Sequence, residues 1–414
     1  MPSGLAALFP RGSRLLLANG YLATVPMGFL MVVVPLYLAR AGLEPAFIGL
    51  LYTVSGLVTS ALVAASGILA DRFGRRRFLL AGTILPVASY VIFASTTDHA
   101  WLVLAAALGG VGLANGAAGA MTVASYDALL AERTSGADRT RVFATAQALW
   151  NLALATGAAA AGGPELLRAL GMGEIDSFRP AFLAAIAFAV VAAALVAPIR
   201  DLPDDRQEAR VGWLPRRSVR PIVTYSLGIG FLGFGLGVAV QLMPLWLNLR
   251  FGVTEGDIGP WYSLAQLLSI VSVLVVPWLD RRFGPSRSVM GMQLTSAALL
   301  GLIVVAPAFP VAISLFIGRS FLTNLSWPFQ QSLLMGAVVA SERASAAGIG
   351  FAVWGLANAV GPGIAGVLLG TGVLALPLLA GAVAYATAGL VFGVGFARIQ
   401  SRAVAPAHVG TPAD

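Results

Sequence analysis

Twelve stretches of this chain are long and apolar enough to cross a lipid bilayer, and no other feature narrows its fold so far. They lie at roughly 15–39, 46–70, 78–96, 100–126, 142–163, 181–198, 221–249, 258–279, 288–308, 310–337, 346–369 and 372–397. A spanning helix needs about 20 mostly apolar residues. The strands of a membrane barrel need about 9–11 and alternate in polarity; these segments are longer and do not alternate. Charged residues make up 11% of the 414, less than half the share of about 25% in a soluble domain. Most of the surface must therefore face lipid, and the chain reads as an all-α membrane protein with twelve transmembrane helices.

All 26 basic residues are arginine. With twelve spans and a cytoplasmic start, 21 of them fall at the chain ends or in connections on the cytoplasmic side. Arg40, Arg168, Arg179 and Arg250 fall on the other side, and Arg319 alone falls inside a span. Arginine-rich connections stay in the cytoplasm, so a multi-pass protein of the inner membrane with both termini cytoplasmic is expected. The same placement accounts for the net charge of +8 and removes the nucleic-acid reading. Cysteine is absent, which excludes disulfides, thiol nucleophiles and thiolate metal sites. No phosphate-binding glycine loop, catalytic triad or metal cluster is present, so neither an enzyme nor a cofactor is expected. The opening "MPSGLAALFPRGSR" is short and broken by Pro10; the apolar run behind it is span-length and reads as an uncleaved signal.

The chain is written twice. "PLYLARAGLEPAFIGLLYT" (35–53) matches "PLWLNLRFGVTEGDIGPWYS" (244–263), pairing Pro35 with Pro244 and Tyr52 with Tyr262. "ALWNLALATGAAAAGG" (148–163) matches "AVWGLANAVGPGIAGV" (352–367), pairing Trp150 with Trp354, Gly157 with Gly361 and Gly162 with Gly366. Glu132-Arg133 corresponds to Glu342-Arg343. Two six-helix bundles in parallel repeat are expected, at 1–198 and 221–398, joined by a polar linker at 199–220 and followed by a tail at 399–414.

Between the second and third spans, "SGILADRFGRRRFLL" (66–80) sets Asp71, Arg72, Arg75, Arg76 and Arg77 between two apolar runs. Gly67, Asp71-Arg72, Gly74 and Arg75-Arg76 resemble the signature of the major facilitator superfamily, and Asp280, Arg282 and Gly284 form a degenerate second copy. The resemblance covers nearly the whole chain. It implies a secondary transporter working by alternating access. In that family the loop latches the halves together on the cytoplasmic side in the outward-open state. Asp71 at a helix C-terminus opposes the helix dipole and needs a cation: Arg75 is near in sequence, and Arg343 by pseudo-symmetry. Asp127 can accept Arg75 or Arg76. Gly67 permits close helix packing and Gly74 a tight turn. The plainer alternative is that the arginines only enforce orientation.

Polar side chains in a bilayer face the bundle interior or a water-filled cavity. Here they are Asn19, Tyr21, Tyr52, Asn115, Tyr126, Trp150 and Asn151 in the first half. In the second they are Gln241, Tyr262, Gln266, Arg319, Asn324, Trp327, Trp354 and Asn358. Together they suggest a central pathway, although any one of them can serve as interhelical glue. Spans 3, 6, 9 and 12, the outer helices of the family, need no such polarity. Arg319 could hold an anionic or carbonyl-rich substrate group, answer a proton carrier, or be structural. The family often has an arginine on helix 4, where this chain has Gly110. Asp127 is the one acid placed to carry a proton, and the resemblance makes proton antiport the leading expectation. Uncoupled diffusion and coupling through the substrate's charge stay open. The cargo expected is a small amphiphilic molecule, with export ahead of import, carried by a monomer among membrane lipids. The alternatives are a sugar or organic-anion transporter using Arg319, or a lipid transporter.

Overall fold

The computed structural model describes residues 11–111, 115–134, 138–199, 217–272 and 274–399. Most of the linker expected at 199–220 and almost all of the tail expected at 399–414 lie outside the described residues.

The fold is all-helical. The first half contains α1 (Arg11–Arg40), α2 (Pro45–Phe73), α3 (Arg75–Ser95), α4a (His99–Leu108), α4b (Gly116–Glu132), α5 (Arg139–Ala159) and α6 (Arg179–Val196). The second contains α7a (Val219–Ala239), α7b (Met243–Phe251), α8 (Glu255–Ser272), α9 (Val276–Val304), α10 (Phe309–Ala337), α11 (Arg343–Gly370) and α12 (Ala375–Leu390). Among the described residues nine helical segments are long and apolar enough to span a bilayer. The other three crossings are α4a with α4b, α5, and α8 with the first turns of α9. With an even number of crossings the start of α1 and the end of α12 lie at one end of the bundle, here termed the loop end because it also carries Arg72–Arg77. The opposite end is termed the far end.

The duplication is visible in the backbone corners. Gly74 (φ 98°) turns α2 into α3, and Gly284 (φ 70°) kinks the run labelled α9 at the matching place. Gly42 (φ 82°) and Gly252 (φ 69°) make the corresponding turns at the far end. Both pairs are 210 residues apart. Left-handed backbone at these four places is open to glycine at little steric cost.

Three crossings expected as single helices are interrupted. The fourth breaks between Leu108 and Gly116, with Gly110 at φ 77° and Gly116 at φ 52°. A Cβ on Gly109 would come within 2.4 Å of Ser89 Oγ, and one on Gly116 within 2.4 Å of the Ala107 carbonyl oxygen. The glycines at 109, 110 and 116 thus end one helix and start the next. The seventh breaks at Val240–Leu242, just before Pro244, which has no N–H to continue the ladder. The eighth is interrupted ahead of Pro277 at the start of α9.

Close backbone approach holds the helices together. Gly28 of α1 meets Gly157 of α5, and Gly237 of α7a meets Gly361 of α11, in equivalent positions of the two halves. The halves meet along two seams, α2 on α11 and α5 on α8. Gly49 packs on Pro362 and Gly366, Gly56 on Ala359, and Gly259 on Ala158. In a bilayer, where apolar side chains gain little by leaving lipid, such small-residue contacts supply the packing.

Candidate functional site

Four helices of the first half turn one helical face each onto a cavity of about 370 Å³, and α6 adds Ala189. On α4b the lining residues are Asn115, Ala118, Gly119, Thr122, Val123, Tyr126 and Asp127, the three- and four-residue spacing of a single face. α1 contributes Asn19, Thr24 and Met27, α3 contributes Thr83, Pro86 and Tyr90, and α5 contributes Phe143, Gln147 and Trp150. The break in the fourth crossing is fixed by α2: Ser55 Oγ accepts the Gly116 N–H at 3.0 Å, and Thr59 Oγ1 donates to the Gly116 carbonyl at 2.8 Å. Asn115 is thereby left at the start of α4b without capping it, and its Nδ2 reaches Met27 Sδ at 3.3 Å. The volume falls within the range of small-molecule pockets, about 300–1,000 Å³. Among small and aliphatic residues the lining carries four aromatic rings and three amides, and Asp127 is its one charged residue.

The ends of the bundle differ. At the far end Glu255 opens α8 and is fully buried. Two arginines of the other half close on it: Arg40 Nη2 lies 3.3 Å away, and Arg168 Nη2 donates to its Oε1. Arg168 also donates to Ser177 Oγ at 3.1 Å, and both guanidinium groups lie over the Phe178 ring. Beside them Thr254 Oγ1 donates to Glu165 Oε2 at 2.6 Å, again across the halves. At the loop end the hydrogen bonds described for Arg75, Arg76 and Arg343 each fall within one half. Arg75 Nε donates to Asp71 Oδ1 at 2.8 Å, and its Nη1 donates to Glu132. Arg76 donates to the Ala197 carbonyl, and Arg343 Nε to the Val338 carbonyl at 3.3 Å. The structure is thus locked at the far end.

The sequence model of the Major Facilitator Superfamily matches residues 16–362. The chain belongs to this superfamily. Membership makes it a membrane transporter rather than an enzyme. Multidrug resistance protein 2 of Bacillus subtilis (strain 168) is 24% identical over 271 residues, covering 62% of this chain. The match spans 63% of that relative's length. A crystal structure of a bacterial homologue of the human lysosomal transporter Spinster, inward-facing and occupied, superposes with a TM-score of 0.70 at 15% identity, covering 94% of this chain and 96% of that one. The nucleoside transporter NupG gives 0.71 at 15% identity, covering 93% and 98%. At these identities the likeness is one of fold.

Within the superfamily frame, the residues singled out from sequence separate into groups. Asn19, Asn115, Tyr126, Asp127 and Trp150 meet in the cavity. Asp127, grouped from sequence with the loop, lies here, and Asp71 and Glu132 are the acids that receive Arg75. Other residues tie helices together. Tyr21 pairs with Thr156 at 3.0 Å, Gln241 donates to Asn358 at 2.8 Å, and Asn324 donates to Ser269 at 2.7 Å. Trp327 and Trp354 pack edge to face, 6.3 Å between centroids, so the symmetric tryptophans differ: Trp150 lines the cavity and Trp354 sits in an aromatic cluster. Asn151 and Gln266 are half-buried outside the cavity lining. Tyr52, Tyr262 and Arg319 are buried. Gly67 lies within α2, Arg72 stacks on Phe73, and Asp280 is exposed. Gly110, where the family often has arginine, stands in left-handed backbone that an arginine would strain.

Thr83, Tyr90, Phe143 and Gln147 line the cavity without having been singled out. Gln147 sits three residues before Trp150, one turn away on the same face, and that spacing could have found it. Tyr90 and Thr83 are on α3, one of the helices expected to need no pathway polarity. Nothing in the sequence shows that α3 reaches the cavity.

Proposed function

We propose that the chain is a secondary active exporter of small amphiphilic molecules, working by alternating access. The observation that carries this reading is the cavity of about 370 Å³ lined by Tyr90, Tyr126, Phe143, Trp150, three amides and one carboxylate. Its rings suit an apolar body, and Asn19, Asn115 and Gln147 can orient a few polar groups. Asp127 carries the proton: protonated it releases, and ionised it waits for, the exchange partner. The arginines set the loop end in the cytoplasm, so the lock at Glu255 closes the extracellular side and the cavity serves the inward-facing state. The distant multidrug resistance relative supports export of amphiphilic cargo. The monomer, two bundles at 1–198 and 221–398 with both termini cytoplasmic, encloses the pathway in the inner membrane among its lipids.

The test is uptake of a panel of neutral and singly charged amphiphilic dyes into proteoliposomes under an imposed pH gradient. Trp150→Ala is expected to weaken uptake however it is driven. Asp127→Asn is expected to abolish gradient-driven uptake while leaving dye-for-dye exchange. Full gradient-driven uptake by Asp127→Asn overturns the carrier assignment, and absence of uptake of every dye by the wild type overturns the cargo class. A second reading, an organic-anion cargo, is favoured by one observation: a buried arginine with unpaired N–H groups.

A further inference from the structure

Arg319 lies ten residues into α10 and is 2% exposed. Among the described residues it forms no ion pair, and its Nε and Nη2 have no hydrogen-bond acceptor. Its guanidinium lies over the Tyr385 ring of α12, 4.7 Å from the centroid. That contact supports one face of the cation and leaves the N–H edge unanswered. The acids of the second half stand at helix ends: Glu255 and Asp257 open α8, Asp280 is exposed near the loop end, and Glu342 precedes α11. Glu255 is already taken by Arg40 and Arg168. A buried cation is tolerated only when something compensates its charge, and among the described residues no carboxylate pairs with Arg319.

Two phenols nearby share the deficit. Tyr262 of α8 is 4% exposed, stacks on Phe316 one turn before Arg319 (5.2 Å, 25°), and lies within Coulombic reach of Arg319. Tyr52 of α2, its repeat mate from the other half, is 2% exposed and within Coulombic reach of Tyr262. Both hydroxyls are buried without a partner. The unanswered groups are therefore a guanidinium edge and two phenolic O–H groups. Guanidinium N–H groups can only donate, and a phenol donates readily. A cation is repelled, and a neutral carbonyl leaves the charge uncompensated. An anion with several lone pairs answers all three.

We infer that Arg319, Tyr262 and Tyr52 form a second binding site, drawn from both halves, for the carboxylate, sulfonate or phosphate group of an organic anion. This rests on the transporter reading and narrows its cargo. Because α2 and α8 belong to different halves, the site is complete only while the far end is closed above it. Cargo bound there favours the locked state by its differential affinity for that state.

The probes are 1-naphthalenesulfonate and its neutral counterpart 1-naphthalenesulfonamide, with sodium phosphate and sodium chloride as inorganic controls, on full-length protein in nonionic detergent. Direct titration and thermal shift are read together. Wild type is expected to bind the sulfonate at least tenfold more tightly than the sulfonamide. Arg319→Gln is expected to erase that preference, and Tyr262→Phe and Tyr52→Phe to reduce it three- to tenfold each. Equal binding of the two probes by wild type, or a preference kept by Arg319→Gln, overturns the site. If Arg319→Gln does not fold, the two phenylalanine variants decide: an unchanged preference in both overturns the site. Stabilisation by phosphate or chloride as strong as that by the sulfonate overturns the organic-cargo part. The transporter reading fails separately, through loss of dye uptake in the wild type. Sulfonamide binding that Trp150→Ala abolishes and Arg319→Gln leaves intact belongs to the cavity in the first half.

Discussion

Glu255→Gln should unlock the far end of the bundle. The Glu255 carboxylate is fully buried, with Arg40 Nη2 at 3.3 Å and Arg168 hydrogen-bonded to its other oxygen. One unit-charge pair at that separation is worth about 5 kcal/mol at an effective dielectric of about 20. Replacing the carboxylate by an amide loses that attraction twice and leaves two guanidinium groups facing each other. Desolvation already offsets part of the gross attraction, so the net cost is about 3–5 kcal/mol, the usual result of breaking a buried pair from one side. Since 1.4 kcal/mol is tenfold, the ratio of closed to open far ends should fall by about 10²–10⁴. The chain has no cysteine, so spin labels can be placed by Leu170→Cys and Val373→Cys, which are 82% and 48% exposed in far-end turns of the two halves. The wild type should give one short inter-label distance by pulsed electron resonance, and Glu255→Gln should add a dominant longer one. Glu174→Gln is the control: Glu174 is 72% exposed and meets Arg40 at 3.6 Å and Arg168 at 3.9 Å, worth about 0–1 kcal/mol, so the distances should not move. An unchanged distance distribution in a folded Glu255→Gln protein would refute the lock.

Other perturbations separate packing from gating. A methyl on Gly28 would lie 2.3 Å from the Leu154 carbonyl oxygen within one half, and one on Gly49 would lie 2.3 Å from the Pro362 carbonyl oxygen across the halves. Each costs about 1–3 kcal/mol by overpacking. Gly28→Ala should lower the melting temperature, and Gly49→Ala should lengthen the far-end spin-label distance instead. Trp150→Ala should weaken binding of a neutral amphiphile about tenfold, measured by titration, with little change in melting. Trp354→Ala should lower the melting temperature by several degrees, because its ring packs on Trp327 and Phe351. Asp71→Asn should leave melting within about 1 kcal/mol of wild type, since its pair with Arg75 is partly exposed. It should reduce transport at normal expression; unchanged transport rules out a latch role for that loop.

The sequence by itself determined the solvent, the number of crossings, the duplication and the family. Apolar length and repeat spacing are local properties, and a bilayer admits few ways to satisfy the backbone of so many apolar segments. The loop signature at Gly67–Arg76 and its faded copy at Asp280–Gly284 were legible for the same reason. Tertiary structure decided what depends on which helices touch. Glu255 and Arg168 read as connection residues of opposite halves, and only the closing of α8 against the other half buries one beneath the other. The break after Leu108 needed Pro86 and Ser89 of α3 pressed against Gly109, and the cavity needed α3 turned toward α4b. Arg319 was conspicuous as the one arginine inside a span, but that no described acid meets it depends on the positions of α8, α10 and α12. Hydrophobic period places a residue on a face; only the packing of that face says whether its charge is answered.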